Sequence, residues 1–168
     1  MNYGKIKSPD VANGEGLRVS VFVSGCRNHC KGCFNPETWG FDYGEPFTEE
    51  TEDYIIKLMK SDYIRGLSIL GGDPLEPENE PVVQKLCEKV KEIYPNKTIW
   101  LYTGYLWENT AYHPIIKFVD VLVDGKFIEE LKNPKLRFRG SENQRIIDVQ
   151  KSRGTGDIYL WEDSKDYE

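Results

Sequence analysis

The chain has 168 residues, 39% hydrophobic and 30% charged, with a net charge of −6, which describes one ordinary globular domain over 1–168. The acidic balance argues against nucleic acid as a partner, and no apolar run approaches the ~20 residues of a membrane helix. Met1 to Pro9 is polar and holds no apolar signal segment, so a cytoplasmic protein is expected.

The first predicted element is a strand at Leu17 to Val23, apolar and β-branched. Thr48 then reads as an N-cap, with Glu49, Glu50 and Glu52 in the first turn of a helix. Helical spacing assigns Tyr54, Ile55, Leu58 and Met59 to its buried stripe. Gly66 to Leu70 is a short buried strand. Pro81 opens a second helix, whose stripe is Val82, Val83, Leu86, Cys87, Val90, Ile93 and Tyr94, and Pro95 stops it. Thr98 to Tyr102 is a strand, His113 to Phe118 a short helix, Val119 to Val123 a strand, and Arg145 to Val149 another. Gly154 to Gly156 form a joint before the apolar run Ile158 to Trp161, and the charged end, 162–168, is expected to fray.

Strand–helix alternation at this spacing implies an α/β fold with a parallel sheet, whose ligands bind beyond the carboxyl ends of the strands. Four strands are followed there by Ser24-Gly25-Cys26, Gly71-Gly72-Asp73, Thr103-Gly104 and Asp124-Gly125-Lys126. The unusual chemistry and the special glycines thus share one edge.

Cys26, Cys30 and Cys33 form a C-x3-C-x2-C loop after the first strand. Clustered thiols without a secretory context point to metal or redox chemistry rather than disulfides. Three readings stay open on spacing alone. The thiolates suit an iron–sulfur cluster. They also suit zinc in a closed Cys3His site with His29, although His29 directly precedes Cys30. Cys30 and Cys33 could instead be a C-x2-C redox pair, which leaves Cys26 unexplained.

This loop resembles the hallmark of the radical S-adenosylmethionine (SAM) enzymes. The match is closer to one family, the activating proteins of anaerobic ribonucleotide reductase. It rests on Asn13-Gly14-Glu15-Gly16-Leu17-Arg18, on Val21 to Cys26, on Cys30-Lys31-Gly32-Cys33-Phe34-Asn35-Pro36-Glu37-Thr38-Trp39, and on Gly71 to Leu75. It resumes at Val121 to Phe127 and at Arg139 to Asp148. Together these span nearly the whole chain. Gly32 stands where the wider superfamily often carries an aromatic residue before the third cysteine, and Phe34 follows that cysteine instead.

The resemblance implies an incomplete parallel (β/α) barrel of the radical SAM type. It implies a [4Fe–4S] cluster on Cys26, Cys30 and Cys33, with one iron left open to chelate SAM. Reductive cleavage of SAM would give a 5′-deoxyadenosyl radical, which removes a hydrogen from a glycine of the reductase. The implied partners are the large subunit of that reductase and an electron donor such as flavodoxin. The implied cofactor-binding residues are Phe34, Asn35, Gly71, Gly72, Asp73, Thr103, Asp124 and Lys126. Gly71 and Gly72 let backbone approach a ligand, Asp73 stands where many relatives carry Glu, and Asp124 and Lys126 match a D-x-K element facing the amino acid end of SAM.

Each of these has a plainer reading. The Gly-Gly-Asp run could be a tight turn, Asp124 and Lys126 a surface ion pair, Thr103 a turn residue, and Asn13 to Gly16 a loop. Asn143, Gln144 and Arg145 are expected near the cofactor or the partner surface. Trp39 reads as a core residue, Cys87 as a buried structural thiol and His113 as a turn residue. The basic run from Lys132 to Arg153 reads as a solvated face. Two rival functions remain: a small radical SAM enzyme acting on a small molecule, and a non-catalytic zinc or iron–sulfur module. A closed eight-unit barrel typically needs ~250 residues, so a chain this short leaves a side open for a protein substrate.

Overall fold

The structure is a computed structural model and describes residues 1–162, so the expected frayed end lies outside the described residues from 163 onward. Its strands are β1 (Asn2–Asp10), β2 (Arg18–Val23), β3 (Glu45–Pro46), β4 (Gly66–Gly71), β5 (Thr98–Tyr102), β6 (Val121–Asp124) and β7 (Arg145–Asp148). Its α-helices are α1 (Glu49–Leu58), α2 (Glu80–Ile93), α3 (Trp107–Thr110) and α4 (Val149–Ser152). Short 3-10 turns occupy Pro36–Trp39, Pro114–Phe118 and Glu129–Leu131.

One seven-stranded sheet runs in the order β3-β1-β2-β4-β5-β6-β7 and is not closed. The four central strands, β2, β4, β5 and β6, pair in parallel. The flanks do not: β1 pairs antiparallel with β2 and β3, and β7 antiparallel with β6. The expected parallel sheet is therefore found in the four central strands, while both flanks run antiparallel. β1 was not expected at all. Its side chains are mostly exposed or half-buried, so it lacks the apolar alternation that marks a strand, and backbone pairing with β2 is what defines it.

Alternation along each central strand sends successive side chains to opposite faces. One face carries Val19, Val21, Val23, Leu67, Ile69, Ile99, Leu101 and Leu122. It packs against Ile55 and Met59 near α1 and against Val83, Leu86, Cys87 and Val90 of α2. Each fully buried aliphatic side chain here contributes about 1.5–3 kcal/mol. The helical stripes are narrower than their spacing suggested: Tyr54 is 53% and Ile93 46% exposed. Thr48 caps α1 as expected, in a reciprocal pair with Thr51. The strand expected at Val119 begins at Val121, after the Pro114–Phe118 turn.

The other face is laid out in rows. At its lower end the buried Arg18 donates to Ser68 Oγ (2.7 Å), Glu15 O (2.8 Å), Leu67 O (3.0 Å), Thr98 O (2.8 Å) and Thr98 Oγ1 (2.9 Å). Gly66 makes room for it, because a Cβ there would lie 2.6 Å from the guanidinium and 2.0 Å from Thr98 O. Above runs the paired row Ser20, Ser68, Trp100 and Val121. The uppermost row holds Phe22 beside Leu70, and Tyr102 beside Val123. The carboxyl ends of the parallel strands, with all four expected loops, lie just beyond it.

Candidate iron–sulfur and cofactor site

A cavity of about 680 Å³ opens over this upper row. That is within the range of small-molecule and cofactor sites. Cys26, Cys30, Phe34, Asn35, Gly71, Gly72, Asp73, Thr103 and Lys126 all line it. Cys33 and Asp124 are not among its lining residues. Strand order accounts for the convergence: the loops after β2, β4, β5 and β6 come from neighbouring strands and emerge side by side.

The thiol loop is held by its backbone. Gly25 N donates to Thr38 O (2.7 Å) and Cys26 N to Trp39 O (3.1 Å), so the turn at Pro36–Trp39 buttresses it. Cys33 N donates to Cys30 O (3.1 Å), and Cys33 Sγ accepts from Asn35 N (3.4 Å). All four cysteines are free of disulfides, with the three loop thiols partly accessible and Cys87 buried. Burial pushes the Cys26 and Cys30 thiols up, so metal capture must displace their protons. Trp39 is half-buried and stacks on the His29 ring at 4.5 Å, which gives that ring a neighbour other than the thiols. Among the described residues no three His, Cys, Asp or Glu side chains gather as a site for a single metal ion. Three accessible soft thiols on one short loop at a roomy cavity fit a multi-iron cluster in their donor chemistry.

The glycine loop packs directly on the thiol loop. Gly72 N donates to Val23 O (2.7 Å) and Asp73 N to Gly25 O (2.8 Å). A Cβ at Gly72 would stand 2.6 Å from Gly25 O and 2.9 Å from both Gly25 N and C. These are backbone atoms and cannot swing away. Gly72→Ala should therefore cost about 1–3 kcal/mol of stability and displace the loop bearing Cys26. Thermal unfolding and iron uptake of the variant check this.

Asp73 is buried and its carboxylate is saturated. Oδ1 accepts from Leu75 N (3.0 Å) and Thr103 Oγ1 (2.8 Å), and Oδ2 from Gly104 N (2.9 Å) and Asn28 Nδ2 (3.1 Å). Desolvation still pushes its pKa up to about 6, against the pull of these donors. Asp124 is likewise fully buried, accepting from Arg145 Nε (3.0 Å), an Arg145 terminal nitrogen (2.5 Å) and Trp107 N (2.8 Å). Lys126, two residues on, faces the cavity. Asn143 and Gln144 brace that loop: Asn143 Nδ2 donates to Lys126 O (2.8 Å) and Gln144 Nε2 to Gly125 O (2.9 Å). The basic run is thus only partly a solvated face, since Lys132 and Arg139 line the cavity and Arg145 serves Asp124 and Glu108. His113 pairs with Glu80 at 2.7 Å.

Sequence reasoning missed Glu76. Its side chain is fully buried and its Oε2 accepts from both Arg27 N (3.0 Å) and the Arg27 guanidinium (3.0 Å). Its Oε1 accepts from the Tyr105 hydroxyl. One carboxylate thereby ties the residue after Cys26 to the loop after β5. Asn79 adds a second tie, donating to Ser24 O and Asp73 O (both 3.0 Å). Nothing in the run 74–79 separates Glu76 from Glu78, whose side chain is 48% exposed.

Residues 12–147 match the family described as 4Fe–4S single cluster domain. Among curated proteins, the anaerobic ribonucleoside-triphosphate reductase-activating protein of Escherichia coli K12 is 44% identical over 150 residues, covering 87% of this chain and 97% of the relative. The protein of that name from Vibrio cholerae is 47% identical over 150 residues with the same coverage. That of enterobacteria phage T4 is 43% identical over 146 residues, 87% of this chain and 93% of its own. No helix among the described residues is long and apolar enough to cross a membrane. Relatives at 43–47% identity over most of the chain, together with the cluster-domain match over 12–147, show that the chain belongs to the iron–sulfur family of anaerobic ribonucleoside-triphosphate reductase-activating proteins.

Proposed function

We propose that this chain is a single-domain radical SAM enzyme that generates a glycyl radical on the large subunit of an anaerobic ribonucleotide reductase. Three accessible thiols carried on one loop at the edge of a cofactor-sized cavity are the observation that carries this reading. Cys26, Cys30 and Cys33 would hold a [4Fe–4S] cluster. When bound, that cluster supplies the electron that splits SAM into methionine and the 5′-deoxyadenosyl radical, the species that takes hydrogen from glycine.

The chain's own residues bind and orient. Lys126 faces the cavity and suits the carboxylate of an amino acid ligand. Asp124 acts one step back: with Arg145 and the N–H of Trp107 it fixes the loop that presents Lys126. Gly71 and Gly72 offer backbone to the ligand, while Asp73 and Thr103 lock the glycine loop to the end of β5. Phe34 and Asn35 wall the thiol side. The open sheet suits an incomplete (β/α) barrel, and its open side admits a loop of a large protein. A flavodoxin-like donor would supply the electron, in the cytoplasm.

Anaerobic iron–sulfur loading followed by reduction with SAM tests the reading. The expected products are 5′-deoxyadenosine and, on addition of the reductase, a glycyl-radical EPR doublet. Tightly held zinc without iron uptake would overturn it. SAM cleavage without a doublet would favour a small-molecule substrate.

A further inference from the structure

Glu76 is a buried acid set against the thiol loop from outside the cavity. Its side chain is 0% exposed and does not line the cavity. Its Oε2 accepts from Arg27 N (3.0 Å), the peptide group directly after Cys26. The Tyr105 hydroxyl donates to its other oxygen. One cation opposes it: the Arg27 guanidinium lies 3.0 Å from the same Oε2. That guanidinium is shared, because Glu78 meets both of its terminal nitrogens (2.8 and 2.6 Å). The group therefore holds two acids and one base. Arg27 is 54% and Glu78 48% exposed, so water screens both. The charge screened least is the acid bonded next to Cys26. Its field reaches the sulfur: the Cys26 thiol is raised mainly by burial, and Asp73 and Glu76 add to it. Lys126 acts in the opposite sense, but on Cys30.

We infer that the buried Glu76 carboxylate, held against the peptide after Cys26, lowers the reduction potential of the cluster on the thiol loop and so makes it a stronger reductant. The inference rests on the function proposed above. There one electron passes from the donor to the cluster, without a proton, and the cluster becomes one charge more negative. A fixed negative charge nearby opposes that step and favours handing the electron on to the sulfonium. Net charge and solvent exposure are among the factors that set such potentials, and groups behind the ligands tune a metal centre through them. A unit charge about 12 Å away, at an effective dielectric of about 20, shifts such an equilibrium roughly tenfold. Glu76 is a positioning residue: it acts through Cys26 and takes no electron or hydrogen itself.

The test is Glu76→Gln in the iron-loaded chain, read by an EPR-monitored redox titration without SAM. It is run at about pH 8, where Asp73, with its pKa of about 6, is charged in every variant. Glutamine keeps the bonding and removes the charge: its carbonyl accepts from Arg27 N and the guanidinium, and its amide donates to the Tyr105 hydroxyl. At a fixed solution potential the ratio of reduced to oxidised cluster should rise about tenfold, an upward shift of about 59 mV. Glu78→Gln, which removes a screened acid, should shift it far less. A merely structural role would lower iron uptake or the unfolding temperature and leave the potential of the loaded fraction where it was. That result would overturn the inference, as would equal shifts for Glu76→Gln and Glu78→Gln. Should Glu76→Gln hold no cluster, Arg27→Gln decides. It strips the opposing cation and should lower the ratio; a ratio unchanged or raised would overturn the inference. Wild type that loads no cluster defeats this inference and the proposed function together. Loaded wild type that cleaves SAM, at a potential indifferent to Glu76, defeats the inference alone.

Discussion

Alanine at Cys26, at Cys30 or at Cys33 should each abolish cluster assembly, dropping iron from about four atoms per chain to less than one after anaerobic loading. Under the proposed function, SAM cleavage should fall to background with it. The size of the effect follows from the absence of a substitute. A cubane held by three thiolates has no spare protein ligand, so losing one leaves two irons open and the cluster labile. Cys87 cannot step in. It is fully buried on α2 against the sheet, and desolvation pushes its thiol up to about 12, the setting of an inert structural residue. His29 stacks on Trp39. Cys87→Ala is therefore the control: it should cost on the order of 1 kcal/mol of stability through lost packing and keep its iron. Iron analysis and the visible absorbance of the cluster read both outcomes. Iron retained in Cys30→Ala, or lost in Cys87→Ala, would mean that the ligand set is not the loop.

The loop and its neighbours could be read from the chain because their signals are local. Three cysteines within eight residues, two adjacent glycines and apolar runs of strand length each announce themselves, and parallel order then brings them together. What stayed hidden depends on tertiary context. β1 reads as polar because its order comes from the hydrogen bonds of β2, not from burying a face. Tyr54 and Ile93 keep helical spacing but fall at the margins of their stripes, where the sheet no longer covers them. Glu76 is indistinguishable in sequence from Glu78, yet it is the one the fold buries under Arg27 and Tyr105. Asp124 illustrates the middle case. Its place beside the site was legible, but its partner Arg145 lies 21 residues away on an antiparallel strand, which the expectation of a parallel sheet could not supply.

Asp73→Asn should cost about 2–4 kcal/mol of folding stability, although it changes a single atom. Both carboxylate oxygens meet backbone N–H groups, Leu75 N on one and Gly104 N on the other. Neither backbone group can turn away. Whichever way the asparagine amide is set, its NH2 faces an N–H donor and has no lone pair to offer. The protonated acid does not share this fault. It can donate its proton to Thr103 Oγ1 and still accept through the same oxygen, because a carboxyl oxygen keeps a lone pair. The pH dependence separates the two. Folding raises the pKa of Asp73 from the ordinary carboxylate value to about 6. Between about pH 4 and pH 6 the folded chain holds a proton that the unfolded chain has released. Stability from this group is then greatest below pH 4, falls as pH rises to 6, and is flat above it. Denaturant unfolding of the metal-free chain at pH 4.5 and pH 7 should show that Asp73→Asn loses less stability, or gains more, over this rise than wild type does, together with lower stability at both. Equal pH dependence in the two proteins would mean that Asp73 keeps its ordinary charge when buried. Its four donors would then outweigh the desolvation that raises it.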